Sequence, residues 1–412
     1  MAKRVFLHIG TMKAATSYLQ ALLTENSVLL AESGWLWSGT GENRRAVGDL
    51  IGPQARFPGD EGAWGRMAGE IRRFEGDAVI SMELLAPLRE RKLERVVRSL
   101  GDAERHVILT ARELTRVIPS QWQEGMQSRR PAGWAEFIKE VCADDPDSEL
   151  GRRFWNAHDL ARIIRAWSAV APYDRISVVT VPPPGGDPTL VWKRFSSVLG
   201  LDGDRFRQPA PQNESLGAVS AELMRRVNAE VADLAYPVYR HAFRRTLAKR
   251  VLAPRAKSEP RLTLPAEQHA WVRGRSERML REVEALGVHV AGDLADLVPP
   301  AEPRAEAVDP ADASTSELLA AATDGLVGLG RILGELQIEH KRLAEQNARL
   351  RRRLDGAADP ASEAPAPPPA PGSLGQRLRR AVRLRRLARR SRTARWLVRR
   401  SRTVRNSASR RR

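Results

Sequence analysis

The stretch Arg4-Val-Phe-Leu-His-Ile-Gly-Thr-Met-Lys-Ala-Ala-Thr-Ser-Tyr-Leu-Gln-Ala-Leu-Leu23 decides the fold. Val5 to Ile9 is a short apolar run, rich in β-branched and aromatic residues and stopped by Gly10, which predicts a buried strand. From Ser17 the spacing turns helical, with Leu19, Leu22 and Leu23 on one side and Leu29 and Leu30 continuing it. Between strand and helix, Gly10 to Ser17 forms a tight turn that brings backbone N–H groups, Lys13 and two hydroxyls to a helix N-terminus. Such a turn suits an anion, because the first helical N–H groups lack internal acceptors and the helix macrodipole is positive there. It is not a Walker A loop, which needs G-x-x-x-x-G-K-[ST]; no Gly-Lys pair occurs in the chain.

Moving outward, Ala78–Met82 reads as a second buried strand leading into Glu83, His106–Ala111 as a third ending at Arg112, and Ile176–Val181 as a fourth stopped by three prolines. Helical spacing separates them at Trp64–Phe74, Leu88–Leu100, Thr115–Ser128, Leu160–Val170 and Leu190–Leu199. Gly34–Ser38 is a short extended piece, and the Gly/Pro-punctuated stretch from there to Gly62 reads as loop with broken helix. From Ser215 the chain turns helical, with Asn213 and Ser215 where N-caps belong before Leu216–Val227. Asn213-Glu-Ser also matches a glycosylation sequon, but capping is the favoured reading because nothing else points to secretion. Helices continue to Leu286, and Val288–Leu297 ends the domain at Pro299-Pro300. Strands alternating with helices predict an α/β domain over residues 1–300, a P-loop-like parallel sheet flanked by helices.

Residues 301–315 are an Ala/Pro/acid linker. A heptad then emerges over residues 316–356 and predicts a C-terminal coiled coil: Leu326, Leu333, His340, Asn347 and Leu354 at a, with Leu329, Leu336, Leu343 and Leu350 at d. Leucine at every d and one Asn at a favour a parallel homodimer through 326–354, the competing reading being an amphipathic helix folded back on its own domain. Gly325, Gly328, Gly330 and Gly334 weaken the first turns. Residues 357–372 are a Pro/Ala-rich spacer, and 373–412 an Arg-rich basic tail. The net charge is +18, yet the tail holds 17 arginines and no acid, so residues 1–372 carry only +1. Leu378, Val382, Leu384 and Leu387 recur near helical spacing there, and Trp396 adds an aromatic anchor. This favours an anionic membrane surface over nucleic acid as the tail's partner.

Cys142 is the only cysteine, which excludes an intrachain disulfide framework and a Cys-based metal site and fits a reducing compartment. The first 30 residues contain no signal peptide, and no window reaches the ~20 apolar residues of a membrane span. A cytoplasmic protein, peripheral at the inner face of the membrane through its tail, is the expectation.

The loop Gly10-Thr-Met-Lys13-Ala-Ala-Thr16-Ser17, followed by Leu19-Gln20, resembles the 5′-phosphosulfate loop of sulfotransferases that use 3′-phosphoadenosine 5′-phosphosulfate (PAPS). Arg112, at a strand end, and Ser120, eight positions on in the next helix, resemble that family's 3′-phosphate site. The resemblance covers about residues 1–300 and is closest to bacterial carbohydrate sulfotransferase-like proteins. It implies PAPS as co-substrate, no metal, and transfer of a sulfuryl group to a hydroxyl on a carbohydrate or glycolipid. It also implies that Gly10, Thr11, Lys13, Ala14, Ala15, Thr16, Ser17, Arg112 and Ser120 bind the nucleotide, with Lys13 stabilising the leaving oxygen. Glu83, just past the second strand, is the candidate base for the acceptor hydroxyl, and His158-Asp159 its rival. Ala15 departs from the family's Gly. If that position needs φ > 0, alanine costs ~1 kcal/mol or more; if it is helical, alanine is harmless.

His8, in mid-strand, is expected to pack or hydrogen-bond, and Trp192 and Phe195 to be core first and adenine-stacking second. Two other functions compete: a non-catalytic protein that keeps the fold and acts through coil and tail, and, less favoured, a nucleotide kinase with a variant phosphate loop.

Overall fold

The structure is a computed structural model that describes residues 2–52, 60–143, 145, 148–210 and 215–356. Six strands form one sheet in the order β2-β3-β1-β4-β5-β6, all parallel. They are β1 (Arg4–His8), β2 (Trp35–Leu36), β3 (Asp77–Ser81), β4 (Glu104–Ala111), β5 (Ile176–Thr180) and β6 (His289–Ala291). Side chains alternate between two cores. Val5, Leu7, Ala78, Ile80, Val107, Leu109, Ile176 and Val178 enter the larger one. Phe6, Val79, Ile108 and Val179 enter the smaller one, against Leu19, Leu22, Trp192 and Phe195. Burial on both faces is why these strands read as unbroken apolar runs.

The first helices carry two departures from the sequence reading. Leu29 and Leu30 do not continue the first helix: α1 is Thr16–Glu25 and α2 is Ser27–Glu32, with Asn26 between them. Asn26 donates from Nδ2 to Leu22 O (2.9 Å) and Arg207 O (2.9 Å), and its Oδ1 accepts from Arg207 N (2.9 Å), so tertiary bonds break the helix there. The stretch expected to be loop with broken helix holds a 13-residue helix, α3 (Gly39–Ile51). Ala46, Val47 and Leu50 bury themselves in the same core as Trp64 and Met67 of α4 (Ala63–Arg73), and packing overrides glycine's poor propensity.

Helix α5 (Glu90–Leu100) precedes β4, and α6 (Leu114–Met126) follows it. Next come α7 (Trp134–Cys142), α8 (Glu149–His158) and α9 (Leu160–Trp167). A chain of aromatic contacts, Trp122–Trp134–Phe137–Phe154–Trp155, joins α6, α7 and α8. After β5, α10 (Leu190–Leu199) covers the smaller core.

Helix α11 (Ala218–Glu230) starts later than its sequence suggested, with Gly217 at the N-cap and no cap from Ser215. The capping carboxylate is remote. Glu259 accepts from Ser220 N (2.8 Å) and Ser220 Oγ (2.6 Å), and a Cβ on Gly217 would stand 2.3 Å from Glu259 Oε2. Asn213 lies outside the described residues. A short α12 (Tyr236–Tyr239) runs into a π-helix, Arg240–Leu252, and α13 (Ala266–Ala285) leads to β6, a strand that the sequence did not reveal.

The chain forms two compact units, Met1–Leu336 and Gln337–Arg412. In the first, the stretch after Pro300 is tied to the domain: Thr263 Oγ1 donates to Glu306 O (2.9 Å), Arg304 pairs with Glu113, and Pro310 is buried. Helix α14 (Thr315–Gly356) then begins with Leu318 and Ala321 buried against Val219. A Cβ on Gly325 would lie 3.1 Å from Leu247 Cδ1 and one on Gly328 2.4 Å from Val251 Cγ1, so these glycines permit close approach of the π-helix. Along α14, Leu326, Leu333 and Leu336 are exposed and Leu329 packs on the core. In the second unit Leu343 and Leu350 are exposed. The spacer 357–372 and the basic tail 373–412 lie outside the described residues, as does the side chain of Leu354. Among the described residues no helix is long and apolar enough to cross a membrane.

Candidate functional site

From β1 the chain builds outward to β2 and β3 on one side, then crosses to β4, β5 and β6 on the other. The crevice at the carboxyl ends of β1 and β4 is therefore the topological switch point, where open α/β sheets bind ligands. The Gly10–Ser17 loop leaves β1 there, and Arg112 follows the last residue of β4.

Gly10 has φ +38, and a Cβ on it would meet Thr110 Oγ1 and Thr16 Oγ1 at 2.8 Å each and His8 Nε2 at 3.2 Å, so no side chain fits. Thr11 fastens the loop to β4, its N–H and hydroxyl both donating to Thr110 O (2.8 and 3.2 Å). Lys13 (φ 66) and Ala15 (φ 65) are both left-handed, while the buried Ala14 between them is not. That alternation is the backbone pattern of an anion-binding nest, although the Ala14 N–H donates to Thr11 O (3.3 Å), and it leads directly into the first turn of α1. Ala15 thus sits in the conformation for which glycine is suited, at a cost of ~1–2 kcal/mol. Thr16 Oγ1 is buried without a hydrogen-bond partner, and Ser17 is exposed at the helix mouth.

Below the loop, neutral His8 ties three strand ends together. Its ring nitrogens lie 2.7 Å from Ser81 Oγ and 3.1 Å from Thr110 Oγ1, and complete burial lowers its pKa to about 3. Gln20 Nε2 donates to Ser81 O (2.9 Å), fixing α1 to the end of β3. Glu83, two residues past Ser81, opens a short 3₁₀ turn.

Arg112 reaches the loop, Nη1 donating to Lys13 O at 3.4 Å, while its Nε is buried without a partner. Burial, then neighbouring Arg116, lowers its pKa to about 10, still charged at neutral pH. Ser120 Oγ donates to Arg116 O (2.9 Å). Arg112 and Ser120 line one cavity of about 720 Å³, together with Arg116, Lys257, Arg261 and Arg304. Arg304 Nη1 pairs with Glu113 Oε2 at 2.6 Å, and Glu113 is almost completely buried. An orphaned hydroxyl, an orphaned guanidinium N–H and five cations along one wall fit an anionic, phosphate-bearing ligand.

The sequence did not single out Arg116, Lys257, Arg261 or Arg304, and for Arg304 no signal existed, since it stands alone in an Ala/Pro/acid stretch. Glu124 was also missed. It pairs with Lys13 Nζ at 2.7 Å and with Arg244 of the π-helix at 3.4 Å. Its signal was present: Ser120 and Glu124 are four apart and share a face of α6.

A second cavity, about 710 Å³, is lined by Met12 of the loop together with Leu84, Gln121 and His158. His158 is not paired with Asp159. Asp159 caps α9 through Arg162 N (3.0 Å) and meets Arg275 Nη2 (3.3 Å), while both His158 nitrogens are buried without partners and its ring stacks on Phe154. Burial lowers the His158 pKa to about 3. Trp192 and Phe195 are wholly buried in the smaller core, and Trp192 Nε1 donates to Gly203 O, so they are packing residues. Among the described residues no three His, Cys, Asp or Glu side chains are grouped as metal ligands.

No family model and no curated protein matches the chain. Among solved structures, it is similar to a chain described as a sulfotransferase from Alicyclobacillus acidocaldarius, with 17% identity and a TM-score of 0.33, over 57% of this chain and 95% of that one. A likeness at that level identifies neither family nor activity.

Proposed function

We propose that the domain transfers a sulfuryl group from PAPS to a hydroxyl, most plausibly on a carbohydrate or glycolipid. The observation that carries this reading is the joining of two separate anion sites at the switch point: Arg112, in the cavity shared with Ser120, lies within 3.4 Å of the loop carbonyl at Lys13. A nucleotide with phosphate groups at both its 5′ and 3′ positions needs two such sites. In this reading the loop N–H groups, Thr16 and Ser17 hold the 5′-phosphate, and Arg112 with Ser120 takes the 3′-phosphate.

The acceptor oxygen attacks sulfur, and the bond from sulfur to the phosphate oxygen breaks. The electron pair stays on that oxygen, where Lys13 Nζ stabilises it. The acceptor proton passes to a carboxylate at the end of β3, Glu83. Glu124 pairs with Lys13, so binding the nucleotide exchanges one anionic partner of the lysine for another.

Calorimetry on the full-length protein tests this, with PAPS, its desulfated 3′,5′-bisphosphate product, and ATP with Mg²⁺. Binding of the first two, with sulfuryl transfer from PAPS, is expected. Binding of ATP alone would make the chain a kinase, and binding of none would leave a fold used without catalysis.

For the remainder of the chain, we infer a parallel homodimer through 326–354, supported by the exposed Leu326, Leu333, Leu336, Leu343 and Leu350. A tail docked on an anionic membrane from the cytoplasmic side is supported by its composition alone.

A further inference from the structure

The cavity that opens at Met12 has no part in holding a nucleotide in the arrangement above, yet it is strongly charged. Six Arg and Lys side chains line it, carried by the start of α5, the turn after α6 and α8, against two carboxylates, Glu90 and Glu149. Polar atoms around it also lack partners: Arg89 Nη2, Gln121 Oε1, Asn156 Oδ1 and both nitrogens of His158 are buried without hydrogen bonds. His158 is only 1% exposed. Unpaired buried polar atoms are costly, and like charges gathered round a concavity repel, so both are stabilised by a ligand that brings acceptors and negative charge. The cavity adjoins the phosphate loop at Met12, the next residue to Lys13, which places such a ligand beside the reacting group.

We propose that this cavity receives the acceptor, and that the acceptor is itself an anion: a hydroxyl compound bearing a carboxylate, sulfate or phosphate near the hydroxyl that is modified. The proposal rests on the sulfuryl-transfer reading. Arg89, Arg91 and Arg153 engage the anionic group, and the floor formed by Gln121, Asn156 and His158 hydrogen-bonds the neutral hydroxyls. Neutral His158 offers one donor and one acceptor nitrogen, as a sugar hydroxyl pair requires. The wall cations sit on separate helices, so what is recognised is charge carried by a ring-sized body and not an isolated small ion.

The test uses three matched probes: a neutral disaccharide, the same disaccharide with one uronate, and the same with one phosphate monoester. Binding to the full-length protein is measured by calorimetry without nucleotide, for wild type, for Arg91→Gln/Arg153→Gln, in which both positions are exposed, and for Arg89→Gln. Wild type should bind a charged probe about tenfold or more tightly than the neutral one, a difference of about 1.4 kcal/mol or more in favour of the charged probe. The double variant should lose that preference while its affinity for the desulfated nucleotide is unchanged; which charged probe binds better identifies the group. The basic tail is the same in every protein compared, so a preference that survives in both variants belongs to the tail and overturns the proposal. Equal binding of neutral and charged probes overturns it too. Failure of the parent reading looks different: PAPS and its product do not bind, whatever the disaccharides do.

Discussion

The two cavities that meet at the loop are nearly equal in size, about 720 and 710 Å³, and both are rich in arginine, yet they are built differently. On the Arg112 side three of the five cations are held by protein acceptors. Arg112 donates to Lys13 O, Arg116 to Pro182 O (3.0 Å), and Arg304 is clamped on buried Glu113. On the Met12 side Arg89 and Lys92 are held by the carbonyls of Ala86, Leu88 and Ile51, while Arg91 and Arg153 are exposed on helices and unpartnered polar atoms of Gln121, Asn156 and His158 lie buried beside them. Fixed cations lose little freedom when a ligand arrives and so favour affinity for one shape. Cations on long exposed side chains adapt, which favours charge over shape. On the proposed reading, the first side takes a constant ligand and the second a class of ligands.

The sharpest way to break this comparison is Arg112→Ala. Nucleotides with a 3′-phosphate should lose ~2–5 kcal/mol of binding, while those lacking it, and the charged disaccharides, should change little. Calorimetry on the four ligands reads this directly, and equal losses for both nucleotides would remove the distinction between the cavities. Next in size is Lys13→Ala, which should lower turnover by ~10²-fold or more with the fold intact. Near-normal turnover in a sulfuryl-transfer assay would take Lys13 out of the mechanism.

The two buried histidines, His8 beneath the loop and His158 at the Met12 cavity, give a smaller effect. Each has a folded pKa of about 3, below the ~6.5 of an unfolded histidine. The stability gained by keeping them neutral is fully present above pH ~6.5 and is lost as pH falls toward the folded value, at up to ~1.4 kcal/mol per pH unit for each. His158→Leu should reduce the slope of denaturant-unfolding free energy between pH 6.5 and 4; an unchanged slope would mean that His158 is solvated. Smallest is Ala15→Gly, which should raise stability by ~1 kcal/mol by relieving the left-handed strain, without loss of turnover. A fall in melting temperature would show that the loop does not need φ > 0 at that position.

What could be read from the sequence follows the same division. β1, β3, β4 and β5 were legible because strands buried on both faces are continuous apolar runs. The Gly10–Ser17 turn and Arg112 were legible because strand-end residues stand beside those runs in the chain. β6 was not, being three residues long between Gly287 and Gly292. The start of α11 was misread because its capping carboxylate, Glu259, comes from 39 residues away. Arg116, Arg304 and the whole Met12 cavity depend on helices meeting in space, and no local pattern encodes that. Ala15 shows the limit from another direction: the sequence marked the position, and only the backbone angle decided what the alanine costs.

The clasp between Arg304 and Glu113 bears on how the protein is made. All six strands and α6 are complete by residue 291, so a chain emerging from the ribosome can assemble the sheet while Glu113 still lacks the guanidinium, 191 residues away, that it closes upon. Leaving a buried carboxylate without its partner costs ~3–5 kcal/mol, so the Arg112 cavity acquires its last wall late in synthesis. A fragment cut at Pro300, where the prolines suggest a natural boundary, would keep every strand and lose that wall. Recombinant truncations meant to isolate the domain should therefore extend past Pro310, the buried anchor of the same segment.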